Sequence, residues 1–176
     1  MKLPKTQTLL DPAQIQTRID TLARQITQDY QGQSLTVVGV LKGSFVFLAD
    51  LIRGIELPLE VEFIGVSSYA GMESTGQVRI TNDLESDLTG KHVLLVEDII
   101  DSGLTIDYLL NTFEVRNPQS LKVCALLSKP QAHQMTHKID YVGFEIEREF
   151  VIGYGLDLDG HYRNLPSIEQ VVESPK

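Results

Sequence analysis

The stretch Val93-Leu94-Leu95-Val96-Glu97-Asp98-Ile99-Ile100-Asp101-Ser102-Gly103-Leu104-Thr105 decides how the rest of the chain is read. Its opening apolar run predicts a strand over residues 93–96 that is buried on both faces, as strands of parallel sheets are. Three carboxylates, a turn of small residues and a helix over residues 106–115 follow it. Ligands of open α/β sheets bind at the carboxyl ends of the strands, which is where this segment places its charges. Ser102, Gly103 and Thr105 offer hydroxyls, an accessible backbone and a helix N-terminus, the combination that holds a phosphate monoester. Glu97 and Asp98 are adjacent, so an extended chain turns them to opposite sides. One is then free to face hydroxyls or a divalent cation while the other orients or balances it. Asp101 is a proton acceptor or a plain helix N-cap, and spacing alone does not choose. The turn carries no lysine and no Gly-x-x-x-x-Gly-Lys-Ser/Thr pattern, which excludes a P-loop nucleotide hydrolase.

Working outward, Asp11-Pro12 reads as an N-cap with proline at the first helical position. Ile15, Ile19, Leu22 and Ile26 then recur at helical spacing until the chain stops near Gly32. Residues 35–41 form a valine-rich buried strand, and Ser44 is expected to cap a helix over 45–53. Strands are predicted at 61–66 and 123–127. Strands alternating with helices imply an α/β fold with a central, mainly parallel sheet. Between Tyr69 and Val93 the chain is polar and glycine-punctuated, and only Val78 and Ile80 alternate like a weak strand. A connection of that length is a lid, a binding loop or a disordered insertion. No repeat, low-complexity segment or linker divides the chain, so residues 1–176 are expected to form one domain.

Composition narrows the function. Fifteen Lys and Arg against 24 Asp and Glu give a net charge of −9. Such a surface repels polyanions, so no nucleic-acid partner is expected and any phosphate must be held locally. Cys124, the only cysteine, lies in an apolar run and is expected to be a buried, inert thiol. No uninterrupted apolar stretch approaches the roughly 18 residues of a membrane span. The expected setting is soluble and cytoplasmic, with no membrane partner.

The segment 96–105, Val-Glu-Asp-Ile-Ile-Asp-Ser-Gly-Leu-Thr, resembles the phosphoribosyl pyrophosphate motif of type I purine phosphoribosyltransferases, in the wording of the hypoxanthine-guanine branch. The resemblance continues in family order through Leu41-Lys42-Gly43-Ser44, Ser68-Tyr69, Leu127-Ser128-Lys129-Pro130 and Tyr141-Val142-Gly143-Phe144. It closes with residues 150–157 and 162–166, so it spans about Val37 to Pro166. What it implies is an α/β domain with a small C-terminal hood, a flexible active-site loop and magnesium-dependent transfer of 5-phosphoribose to N9 of hypoxanthine or guanine.

By that resemblance, Glu97 and Asp98 hold the ribose hydroxyls, directly or through Mg2+, and Asp157 serves a second Mg2+. Ser102, Gly103, Leu104 and Thr105 cradle the 5′-phosphate, Leu104 through its backbone alone. Asp101 is the candidate general base. Lys129 donates to the purine 6-oxo group and rejects a 6-amino group, because an ammonium cannot accept a hydrogen bond. Phe150 stacks on the base and the Val151 backbone reads its edge. Lys42 and Gly43 form a turn suited to pyrophosphate, with Arg163 adding a cationic fork. Ser68, Tyr69 and the polar loop after them match a flap that excludes water. A homodimer or homotetramer is implied as well.

The chain also departs from the family. After Lys129, where the family often carries arginines, it reads Pro130-Gln131-Ala132-His133-Gln134, and the residues between Asp157 and Arg163 are unusual. His133 and His137 are four apart, a zinc spacing on a helix, but no third ligand is evident. Two alternatives stand beside the purine-salvage reading: a xanthine-preferring enzyme, and a non-catalytic phosphoribosyl pyrophosphate or nucleotide sensor. The net charge, the absence of a basic stripe, and the presence of Asp101 and Lys129 all favour catalysis over the sensor.

Overall fold

The computed structural model describes residues 4–68 and 78–173. The chain opens on a strand that the sequence pattern does not announce, β1 (Lys5–Leu10), which is followed by helix α1 (Pro12–Asp29). Asp11 and Gln14 form a reciprocal capping box at the start of α1, each side chain accepting from the other's backbone N–H at 2.9 Å. The predicted apolar face is the buried one: Ile15, Ile19, Leu22 and Ile26 all lie in the core. The helix ends at Asp29 and is closed by Tyr30, a turn earlier than Gly32 suggests.

Strand β2 (Leu35–Leu41) leads into α2 (Phe45–Gly54), then β3 (Leu59–Ser68) and β4 (Val78–Asn82). Strand β5 (His92–Ile100) leads into α3 (Leu104–Glu114), β6 (Ser120–Ser128), a short 3-10 turn (Pro130–Ala132) and β7 (Tyr141–Glu145). These strands form one sheet in the order β4-β3-β2-β5-β6-β7, all parallel except for the antiparallel β3–β4 pair. Strands β1, β8 (Val151–Ile152) and β9 (Ile168–Glu173) form a separate antiparallel sheet, with β9 central. This small sheet is the expected hood, but it is built from the N-terminal strand as well as from C-terminal segments.

The order of the large sheet reverses at β2 and β5. From β2 the chain crosses through α2 to β3 on one side, and from β5 it crosses through α3 to β6 on the other. The two helices therefore cover opposite faces. Leu94 and Val96 of β5 pack with α1 and α2, whereas Val93 and Leu95 pack with α3. A gap between diverging helices opens at the carboxyl ends of β2 and β5, the topological switch point where α/β sheets bind ligands.

Three local expectations are corrected. Ser44 takes the N-cap position of α2 as expected, but its side chain does not cap the helix: the hydroxyl donates to the Val40 carbonyl at 2.6 Å, which fixes the end of β2 instead. Strand β5 runs on to Ile100, so Glu97 and Asp98 lie within the strand and not after it. Asp101 is not the cap of α3, because Gly103 takes that place with φ +83°. Val78 and Ile80 do belong to a strand, β4. The expected flap over residues 69–77, Tyr69 included, and the Ser68 side chain lie outside the described residues. Cys124 is fully buried, and burial pushes its thiol far above the ordinary range. No described helix is long and apolar enough to cross a membrane.

Candidate active site

A cavity of about 320 Å³ occupies the switch point. Lys42 and Gly43 line it from the turn after β2, Glu97 and Asp98 from β5, and Asp101, Ser102, Gly103 and Thr105 from the turn into α3. Asp157 and Arg163 close it from the segment that follows β8. Ten residues singled out by the sequence thus meet around one space, although 121 positions separate the first from the last.

Glu97 and Asp98 are adjacent in β5, both line the cavity at the end of the sheet, and their carboxyls lie close enough to interact. Both are buried, and Glu97 Oε2 has no hydrogen-bond partner. Burial, reinforced by the neighbouring Asp98 carboxylate, holds the Glu97 carboxyl well above the usual range. Asp98 lies against Gly43: a Cβ built there would fall 1.6 Å from Asp98 Oδ2, so the lysine-glycine turn meets the acid pair only as glycine.

The turn into α3 opens to the cavity on one side and is backed by residues 133–137 on the other. Gln134 N donates to Ser102 O at 2.8 Å, and Met135 lies over Gly103. Leu104 is exposed at the start of the helix and contributes no buried side chain. Asp101 and Lys129, from neighbouring strand ends, form an ion pair: Lys129 Nζ donates to Asp101 Oδ2 at 3.0 Å. The lysine side chain is 11% exposed and the aspartate side chain 61%, so a nearly buried ammonium presents a carboxylate to the opening.

Asp101 and Lys129 also line a second cavity of about 270 Å³ with Gln131, Ala132 and Arg148. Arg148 is not among the residues singled out from the sequence; the fold brings it here from the loop after β7. Its position two residues before Phe150 is the one available signal. It restores to this rim a cation that the segment after Lys129 lacks. Phe150 is 51% exposed, while Val151 is buried and held in β8 against β9. On the far wall Arg163 donates to Gly155 O at 2.6 Å and pairs with Asp157 Oδ1 at 2.7 Å, which fixes its guanidinium. His133 and His137 turn to different partners, Ser128 Oγ and Asp107 respectively, and do not act as a ligand pair.

The donor set suits a hard divalent cation. A buried carboxylate oxygen without a partner, a second carboxylate beside it and a third across the cavity offer oxygen ligands only. Among the described residues no three His, Cys, Asp or Glu groups converge on one point. Magnesium does not need such a cage, since it is usually held by one or two carboxylates together with substrate oxygens and water.

A phosphate-type turn and an acid pair at the switch point of this sheet are the frame of a phosphoribosyltransferase, and the chain belongs to that family: residues 5–159 match the phosphoribosyl transferase domain. The relatives it resembles within the family include hypoxanthine and hypoxanthine-guanine phosphoribosyltransferases. The chain is 46% identical to the hypoxanthine phosphoribosyltransferase of Haemophilus influenzae across 98% of either chain. It is 48% identical to the hypoxanthine-guanine phosphoribosyltransferase of Mycobacterium avium, over 91% of this chain and 82% of that one. A crystal structure of a hypoxanthine-guanine phosphoribosyltransferase from Bacillus anthracis superposes with a TM-score of 0.91 at 46% identity, covering 97% of this chain and all of the other. The Trypanosoma cruzi hypoxanthine phosphoribosyltransferase in complex with IMP gives 0.89 at 41% identity, over 97% and 96% of the two chains.

Proposed function

We propose that this chain, as a single domain, transfers 5-phosphoribose from phosphoribosyl pyrophosphate to N9 of hypoxanthine or guanine, a purine-salvage reaction that yields the nucleotide and pyrophosphate. The observation that carries the reading is the Asp101–Lys129 pair, in which Asp101 lines the cavity of the 102–105 turn and Lys129 lines the adjoining one.

The residues divide the work. Ser102, Thr105 and the backbone N–H groups from Ser102 to Thr105 hold the 5′-phosphate at the N-terminus of α3. Glu97 and Asp98 face the ribose 2′ and 3′ hydroxyls. Lys42, Gly43 and Arg163 receive the pyrophosphate, Arg163 with its guanidinium already fixed by Gly155 and Asp157. Phe150 offers its exposed ring for stacking, and the Val151 backbone meets the base edge. Lys129 donates to the 6-oxo group. As the ring nitrogen bonds to the ribose C1′, the C1′–O bond to pyrophosphate breaks, pyrophosphate leaves with the electron pair, and Asp101 accepts the proton the purine loses. The transition state is electron-poor at the sugar, so the protein contributes chiefly position and charge balance. Glu97, Asp98 and Asp157 would hold Mg2+, which when bound offsets the negative charge of the sugar phosphate and its leaving group. The same reading places the chain in the cytoplasm as a homodimer or homotetramer acting on small molecules.

The test is a steady-state assay with phosphoribosyl pyrophosphate and Mg2+, offering hypoxanthine, guanine, xanthine and adenine separately. Nucleotide formation from hypoxanthine or guanine but not adenine is expected. Preference for xanthine would move the substrate assignment, and binding of phosphoribosyl pyrophosphate without turnover on any base would overturn the enzyme reading.

A further inference from the structure

Asp107 stands in the first turn of α3, where its charge would oppose a phosphate bound at the same helix end. Its carboxylate is turned elsewhere. Oδ2 accepts from Thr136 N at 2.8 Å and from Thr136 Oγ1 at 3.3 Å, and Oδ1 accepts from His137 N at 3.2 Å. His137 Nδ1 also lies 2.8 Å from Oδ1, while Nε2 lies 3.4 Å from Glu114 Oε1 two helical turns further on. The Asp107 side chain is only 17% exposed. Burial alone would raise its pKa, but the hydrogen bonds from Thr136 and His137 outweigh it and hold the carboxyl below the ordinary range.

The segment fastened in this way is the one that backs the phosphate turn. Two residues before Thr136, Gln134 N donates to Ser102 O, and Met135 covers Gly103. At its other end the segment begins at Lys129, whose N–H donates to Ile100 O at 2.9 Å, and His133 reaches Ser128. Residues 133–137 are thus a strap drawn across the outer side of Ser102 and Gly103, pinned to strand β6 at one end and to α3 at the other. The α3 pin is chiefly the Asp107 carboxylate, with Glu114 Oε1 at 3.4 Å from His137 Nε2 as a longer second contact.

We propose that Asp107 is a positioning residue for the phosphate turn: it fastens the 133–137 strap to α3, and the strap holds Ser102 and Gly103 in the shape that receives the 5′-phosphate. The proposal rests on the reading of that turn as the phosphate site. Asp107 touches no reacting atom in this arrangement and acts through Gln134 and Met135.

The test compares Asp107→Ala and Asp107→Asn with the parent protein. Loss of the α3 pin is expected to raise KM for phosphoribosyl pyrophosphate about tenfold, while kcat and the KM for hypoxanthine stay within about twofold. Amide exchange at residues 102–105 should quicken about tenfold and that of β6 should not change. Asp107→Asn keeps one acceptor oxygen and should fall between parent and alanine, and it carries the test if Asp107→Ala does not fold. Equal rises in both KM values, or unaltered exchange in the turn, would overturn the proposal. Failure of the functional reading looks different: the parent protein itself would form no nucleotide, and exchange in the turn would then decide the strap by itself.

Discussion

Asp101 lies between a cation that fixes it and an opening that exposes it. The Lys129 ammonium is nearly buried, so it costs the chain desolvation unless it is paired, and Asp101 is the pairing group. A proton acceptor held by one lysine at the mouth of a cavity is oriented before the base arrives. Asp101→Asn keeps the size and loses the charge, so turnover should fall about 100-fold or more while KM for phosphoribosyl pyrophosphate moves by less than about threefold. Steady-state kinetics reads both, and equal losses would demote Asp101 to a structural partner of Lys129. At Gly43 the argument is steric. Gly43→Ala drives a methyl into Asp98 and should cost about 1–3 kcal/mol in urea unfolding, with a larger loss of activity than of stability. Most of this site was legible because residues 96–105 carry it contiguously. Arg148 was not, because only the fold brings it to Asp101 and Lys129, and Ser44 misled because a serine before a helix bonds backward to Val40 as readily as forward.

At the level of elements, the apolar runs of β2, β5 and β6 announced themselves because a strand buried on both faces has no polar positions to confuse its period. The extension of β5 through Glu97 and Asp98 was hidden for the converse reason: two carboxylates inside a strand read as its end. The strap had no local signal, since its pin depends on α3 lying beside it. It carries a pH dependence whose sign follows from Asp107. A carboxyl held below its unfolded value stabilises the fold above that value, roughly pH 4, and the contribution is lost as pH falls through the folded pKa. Urea midpoints of the parent and of Asp107→Asn should therefore differ most near neutrality and converge as the pH falls well below the ordinary carboxylate range. A constant gap across that range would contradict the assignment.

On the scale of the whole molecule, the −9 charge and the cationic rim belong to different places. Lys42, Lys129, Arg148 and Arg163 converge on two adjoining cavities, so on the proposed function phosphate would be met locally by a protein whose net charge repels polyanions elsewhere. The parallel sheet followed from the alternation of strands and helices, but the hood did not. Strand β1 is mostly exposed and pairs with residues more than 150 positions away, so no periodicity near it names a partner. It matters nonetheless: β9 lies between β1 and β8, and β8 carries Val151. Removing residues 4–10 should lower the thermal midpoint by roughly 5 °C and raise KM for the purine more than KM for phosphoribosyl pyrophosphate. An unchanged purine KM would show that β8 stands without β1. The same pairing orders events during synthesis. Strand β1 is made long before β9 and finds this neighbour only when residues 168–173 leave the ribosome, so the large sheet can assemble while β1 waits as an open edge. On the proposed function, base recognition therefore matures later in synthesis than the phosphate turn, and a translation product halted before β9 would hold the 102–105 turn formed beside an unfinished β8 wall.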